Sequence, residues 1–139
     1  MIHFEVIGKV KGKGRPRFAR HGNFVKSYTD ADTVNYENLV KLSFLNSGCE
    51  AFSEDKQLRA EIDIYISIPK AVSKKKRQEM LLGIIRPTKK PDIDNILKSL
   101  FDGLNKVAFN DDTQIIEVKA RKYYAEQEKV VINIFDILE

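Results

Sequence analysis

The chain has 139 residues, with 24 lysines and arginines against 20 aspartates and glutamates and a formal net charge of +4. That length suits one domain with its own core, and the single cysteine, Cys49, excludes an internal disulfide and fits a reducing compartment. No apolar run could span a bilayer and the N-terminal MIHFEVIGKV lacks a signal-type apolar stretch, so the expectation is a soluble, intracellular protein with no membrane partner.

In chain order, Ile2, Phe4 and Val6 alternate with His3 and Glu5, which predicts a strand over 2–7. The segment 9–20, KVKGKGRPRFAR, holds six basic residues and no acidic one, with Gly12, Gly14 and Pro16 as breakers. It reads as a mobile basic loop whose Lys11, Lys13, Arg15, Arg17 and Arg20, with Phe18 alongside, suit a phosphate backbone. Gly22-Asn23 predicts a turn between Phe18 and Tyr28. Thr29 or Asp30 then caps a helix to about Asn46 with Tyr36, Leu39, Val40 and Leu42 to Phe44 inside, ended by Asn46-Ser47-Gly48.

Leu58, Ala60, Ile62, Ile64, Ile66 and Ile68 alternate with polar residues over 58–68, the strongest strand pattern in the chain, and Pro69 stops it. Ser73 caps a short helix over 74–82 whose first turn carries Lys74, Lys75, Lys76 and Arg77, positive charge at the positive end of the helix dipole. Strands follow at 115–124 and 130–137. The last is apolar on both sides, since Val130, Ile132 and Ile134 alternate with Val131, Phe135 and Ile137. One side then needs cover from a helix or a second subunit, and the second subunit is the favoured reading. The order predicts a single α+β domain over 1–139 with a largely antiparallel or mixed sheet packed with about three helices.

The chemistry concentrates between Thr88 and Asp112, TKKPDIDNILKSLFDGLNKVAFNDD. Pro91 biases Lys90 to extended geometry. An extended run through Asp92 and Asp94 would put both carboxylates on one side and Ile93 on the other. Asp94 or Asn95 reads as the N-cap of a helix with the apolar stripe Ile96, Leu97, Leu100, Phe101 and Leu104. Asp94, Lys98 and Asp102 follow its polar side at steps of four, and a strand returning past Asn110-Asp111-Asp112 would bring Asp112 to the same place. Aspartates make ordinary caps and turns singly. Four of them bracketing one helix beside basic segments point to a cation, and oxygen-only donors favour Mg²⁺, with Mn²⁺ as a substitute, over zinc. Leu97 stands where an EF-hand loop needs glycine. Carboxylate-held Mg²⁺ amid lysines and arginines suits phosphodiester hydrolysis, with Lys98 offsetting charge at the scissile phosphate.

Lys90-Pro91-Asp92-Ile93-Asp94-Asn95, then Lys98, Asp102 and Asn110-Asp111-Asp112-Thr113-Gln114-Ile115, resemble the RusA-type Holliday junction resolvases, a bacterial and prophage family. The likeness is tight from Lys89 to about Lys122 and looser at Gly14-Arg15-Pro16-Arg17-Phe18 and Tyr28-Thr29. It implies Mg²⁺ on Asp92, Asp94 and Asp112, help from Lys98, accessory places for Asp102 and Asp111, and DNA contacts that include Lys89 and Lys90. It also implies a cytoplasmic homodimer in a bacterial or phage-infected cell, nicking two opposed strands of a four-way junction in recombination and repair. Two alternatives use the same residues: a metal-dependent nuclease for flaps or other branched DNA, and a non-catalytic basic nucleic-acid-binding module.

Overall fold

The computed structural model describes residues 1–139. Six strands and three helices follow in order: β1 (Ile2–Ile7), β2 (Arg17–His21), β3 (Phe24–Tyr28), α1 (Ala31–Asn46), β4 (Leu58–Ser67), α2 (Lys74–Leu81), α3 (Ile93–Leu104), β5 (Ile115–Ala125) and β6 (Lys129–Asp136). Four strands make the main sheet in the order β1-β6-β4-β5. The first two pairings are antiparallel and β4 runs parallel to β5. The parallel pair requires the long crossover that carries α2 and α3. Strands β2 and β3 form a separate hairpin.

Register aligns the apolar residues into rows across the sheet, because side chains alternate faces with period two. Ile2, Ile134 and Ala60 stand in one row, Phe4, Ile132 and Ile62 in the next, and Val6, Val130 and Ile64 in the third. All are buried, and α1 and α3 cover them with Tyr36, Val40, Phe44, Ile96, Leu100 and Leu104. The opposite face carries cross-strand pairs: Lys129 with Glu5 at 3.0 Å, Arg121 with Asp63 at 2.8 Å, and the Arg59 guanidinium over the Phe135 ring at 4.7 Å. Val131, Phe135 and Ile137, expected to need a second subunit, are already half-buried within this chain.

Asp30 caps α1 as expected, its carboxylate accepting the Thr33 N–H at 2.8 Å, and Ser73 caps α2. The inward face of α1 differs from the expectation. Thr33, Tyr36, Val40 and Phe44 are buried, whereas Leu39 and Leu42 are exposed. Only one stripe of a helix can face the sheet, and Val40 and Phe44 set it.

Helix α1 also crosses α3, and Gly103 permits the contact. A Cβ at that position would lie 2.8 Å from the Glu37 carbonyl oxygen and 3.0 Å from the Val40 Cβ. Gly103→Ala should gain about 1 kcal/mol of helix propensity and lose about 1–3 kcal/mol to overpacking against a backbone that cannot yield. A net loss is expected, read as a lower urea midpoint by circular dichroism. A midpoint at or above that of the parent chain would show that the two helices part freely.

Candidate active site

Helix α3 begins two to three residues earlier than its sequence suggests. Asp92, not Asp94 or Asn95, is the N-cap, with φ −71° and ψ 150°, and its side chain makes no capping hydrogen bond. Pro91, joined to Lys90 by a cis peptide, lies in a bend over 89–91 where an extended run was expected, and the chain turns helical at Ile93. Asp92 and Asp94 are therefore not neighbours on one side of a strand. Two residues at helical spacing turn through about 200°, so they diverge.

The divergence is visible in what each lines. Asp94, Lys98, Asp102 and Asp112 line one open cavity of about 760 Å³ together with Lys13, Arg15 and Pro16. Asp92 opens on the adjoining cavity with Lys9, Lys11, Lys90 and Pro91, and Lys13, Arg15 and Asn95 belong to both. No three carboxylates converge on one point. For Asp94 and Asp102 the reason is simple: eight residues of helix separate them by about 12 Å of rise. The donor set still fits a hard cation. It is all oxygen, Asp92 and Asp94 enter no salt bridge within the chain, and Asp112 sits in excess negative charge. Burial pushes the Asp112 carboxyl above the ordinary carboxylate range, and the Asp111 and Asp102 carboxylates add to it.

Asp112 is positioned by its neighbours. Its N–H donates to Asn105 Oδ1 at 3.1 Å, which ties the turn to the end of α3. It opens a one-turn 3-10 helix, Asp112–Gln114, that leads into β5. Asp111 caps that turn. Its carboxylate accepts from the Thr113 N–H at 3.2 Å, and that bond first, with Asp112 beside it, holds the Asp111 carboxyl below its usual range. The turn-forming role of Asp111 is thus occupied, while Asp112 faces the cavity. Gln114 completes the turn, accepting from Asn110 and Asp111 and donating to the carbonyls of Ser53 and Lys56.

The basic segment, expected as a mobile loop, is tied down along its first half and is strand β2 along its last part. Val10 is buried, and its N–H donates to Glu128 at 2.6 Å. Lys13 N–H donates to the Asn95 carbonyl at 2.8 Å, and Gly14 N–H to Thr33 Oγ1 at 3.0 Å. Lys13 Nζ lies 2.6 Å from Glu37 and 2.9 Å from Asp102. Burial works against its charge, but the two carboxylates outweigh that and hold its pKa above the usual lysine value. Asp102 therefore anchors the basic segment to α3. On the other side, Lys122 Nζ donates to the carbonyls of Lys89 at 2.8 Å and Pro91 at 3.0 Å, fixing the approach to Asp92.

The structure brings Asp94, Lys98, Asp112, Lys13 and Arg15 together, places Asp92, Lys11 and Lys90 next door, and sets Arg17 and Arg20 on the hairpin. Glu37, Asn105 and Lys122 are not singled out by the sequence, because each works through a partner brought close by the fold.

Residues 8–135 match the family described as endodeoxyribonuclease RusA. The chain is 31% identical over 138 residues to a Bacillus subtilis (strain 168) protein described as "Uncharacterized protein YqaN", covering 98% of this chain and 96% of that one. It is 28% identical over 132 residues to a Lactococcus phage r1t protein described as "Crossover junction endodeoxyribonuclease rusA", covering 94% of this chain and 85% of that one. No helix of the chain is long and apolar enough to cross a membrane. The match over nearly its whole length places the chain in the endodeoxyribonuclease RusA family, as an enzyme that cuts DNA.

Proposed function

We propose that the chain resolves four-way DNA junctions by paired, symmetric nicks in a Mg²⁺-dependent reaction, acting as a homodimer in recombination and repair. The observation that carries this reading is one open cavity lined by Asp94, Asp112 and Lys98 together with Lys13 and Arg15. The name of the Lactococcus phage relative supports the junction as substrate.

Asp94 and Asp112, which share the cavity, are the residues that would hold Mg²⁺, or Mn²⁺ in its place, with Asp92 turning in from the adjoining cavity as the third carboxylate, and the ion would supply positive charge for the phosphate and an activated water. The chain's own groups do the rest. Lys98, one turn beyond Asp94 on α3, directs an ammonium into the same cavity and offsets charge that develops on the phosphate. Lys11, Arg15 and Lys90 line the walls and bind flanking phosphates. Asp102 and Glu37 hold Lys13 in place, so the basic segment lies along the carboxylate wall at a set distance.

Asp92→Asn, Asp94→Asn and Asp112→Asn should each lower cleavage of a synthetic four-way junction at least about a hundredfold, since each removes several kcal/mol of electrostatic help. Binding should hold or tighten, because each change removes negative charge near the phosphate. Asp111→Asn should be mildest, since the amide oxygen can still cap the turn. Equal losses in all four, or loss of junction binding by a folded variant, would refute these roles. Cleavage that persists in excess chelator would refute the metal dependence, and a flap cut faster than the junction would favour the alternative substrate.

Neutralising Lys11, Arg15 and Arg17 together should reduce the slope of log affinity against log salt by roughly 0.9 for each phosphate that no longer meets a cation. Lys13→Met should change that slope less, because its charge is already matched by Glu37 and Asp102. An unchanged slope in the triple variant would remove these residues from the interface.

A junction yields two ligatable duplexes only if two opposed phosphates are cut, and one chain presents one carboxylate cavity of this kind. A two-fold pair supplies both cuts at a fixed separation. Sedimentation equilibrium at micromolar concentration should give twice the 16.0 kDa chain mass. A monomer that makes both nicks would overturn the dimer.

A further inference from the structure

Between the basic segment and α1, the β2–β3 hairpin stands apart from the main sheet and buries none of its residues. Its apolar side chains lie open to solvent: Phe18 is 68% exposed, Phe24 78%, Val25 67% and Tyr28 49%. Aromatic rings left this open contribute little to folding, and a two-stranded hairpin alone is marginal in water. The register shows how they are arranged. Directly opposed residues share a face, so Arg17 and Tyr28, Ala19 and Lys26, and His21 and Phe24 stand on one face, while Phe18 and Ser27, and Arg20 and Val25, stand on the other. Each face alternates rings or apolar groups with cations, and no acidic residue occurs from Arg17 to Tyr28.

The hairpin is also aimed. Arg15 and Pro16 line the carboxylate cavity, and β2 leaves it at Arg17. The stem is held at both ends, by the Gly14 N–H on Thr33 and by Asp30 capping α1. Four strand steps carry the tip about 13 Å from the stem. Gly22, at φ +61°, lets His21 and Phe24 face each other across a two-residue turn, so the most exposed ring of the hairpin stands at its end.

Resting on the junction reading above, we infer that this hairpin is a branch-point reader: Phe24 at the tip, with Phe18 on the opposite face, stacks on bases at the centre of the junction. Arg17, Arg20 and Lys26 meanwhile contact the converging phosphates. Duplex arms keep their bases stacked on one another, whereas the branch point leaves base faces available, and every base has a π-face for an aromatic ring. Charge selects this occupant over a second copy of the chain. Two hairpins with three cations and no anion each would repel, while a polyanion neutralises them. The hairpin would thus help separate junctions from duplex by reading base faces, since the phosphates that meet the cavity's lysines are chemically the same in both substrates.

The test uses the full-length protein, a synthetic four-way junction carrying 2-aminopurine beside the branch point, and a linear duplex of the same sequence. Phe24→Ala should weaken junction binding about tenfold and abolish the 2-aminopurine fluorescence change, with a smaller effect on the duplex. Phe24→Tyr should retain both signals. Leu42→Ala, which alters an exposed apolar group on α1, should match the parent chain on both substrates. Equal losses on junction and duplex, full junction selectivity in Phe24→Ala, or a fall in oligomer mass in that variant would each overturn the inference while leaving the junction reading intact. A parent protein that does not prefer junction to duplex would overturn both.

Discussion

The close crossing of α1 over α3 at Gly103 is the constraint on which the rest of the site depends. With no Cβ between them, the backbone of Glu37 approaches α3 directly, and the Glu37 side chain comes to stand near Asp102. Two carboxylates so placed repel unless a cation lies between them, and Lys13 is that cation. Its capture draws the basic segment across α3 and brings Arg15 and Pro16 into one cavity with Asp94 and Asp112. A packing contact in the core thus fixes the width of the cavity. The electrostatic matching of Lys13 follows from the packing and is not its cause.

Helix α3 does two jobs because it has two stripes. Ile96, Leu100 and Leu104 are fully buried against the sheet, which fixes the rotation of the helix about its axis. Asp94, Lys98 and Asp102 then have no freedom to face elsewhere, since they are spaced by the same turn of helix. Asp94 lies in the first turn, where the helix dipole favours a negative charge. The site consequently places carboxylate and ammonium along one line, the charge pattern needed to receive a phosphodiester together with a cation. The 3-10 turn adds the last carboxylate from another direction, held by Asn105 and Gln114 instead of by the core.

Nucleic-acid contact and structure overlap in the basic segment. Val10 is core, Lys13 is an internal counterion, and Lys11 and Arg15 line the cavities. Beyond Pro16 the same stretch becomes a hairpin with no role in the core. Cations of one short segment therefore differ in availability, and their number alone overstates the charge offered to a partner.

Local patterning in the sequence determined most of the elements. Alternation marked β1, β4 and β6, and the period of α3 was plain in its apolar residues. The caps at Asp30 and Ser73 and the turn at Gly22-Asn23 were equally local, because each is set by residues within one turn of each other. The motif around Asp92, Asp94, Lys98 and Asp112 named the family for the same reason, being a pattern along the chain. What the sequence could not decide depended on distance through space. It misread the start of α3, since an extended run and an N-cap both accept Asp after Pro, and the side to which Asp92 points turns on where the helix starts. It took Leu39 and Leu42 for core, because α1 is apolar on more than one side and only contact with the sheet and α3 selects the stripe. It read 9–20 as a free loop, because the partners of Lys13 and Gly14 lie on α1 and α3. Only the folded chain brings Glu37, Asp102 and Lys13 together, and that meeting requires the missing Cβ of Gly103, a steric condition that no pattern along the chain expresses.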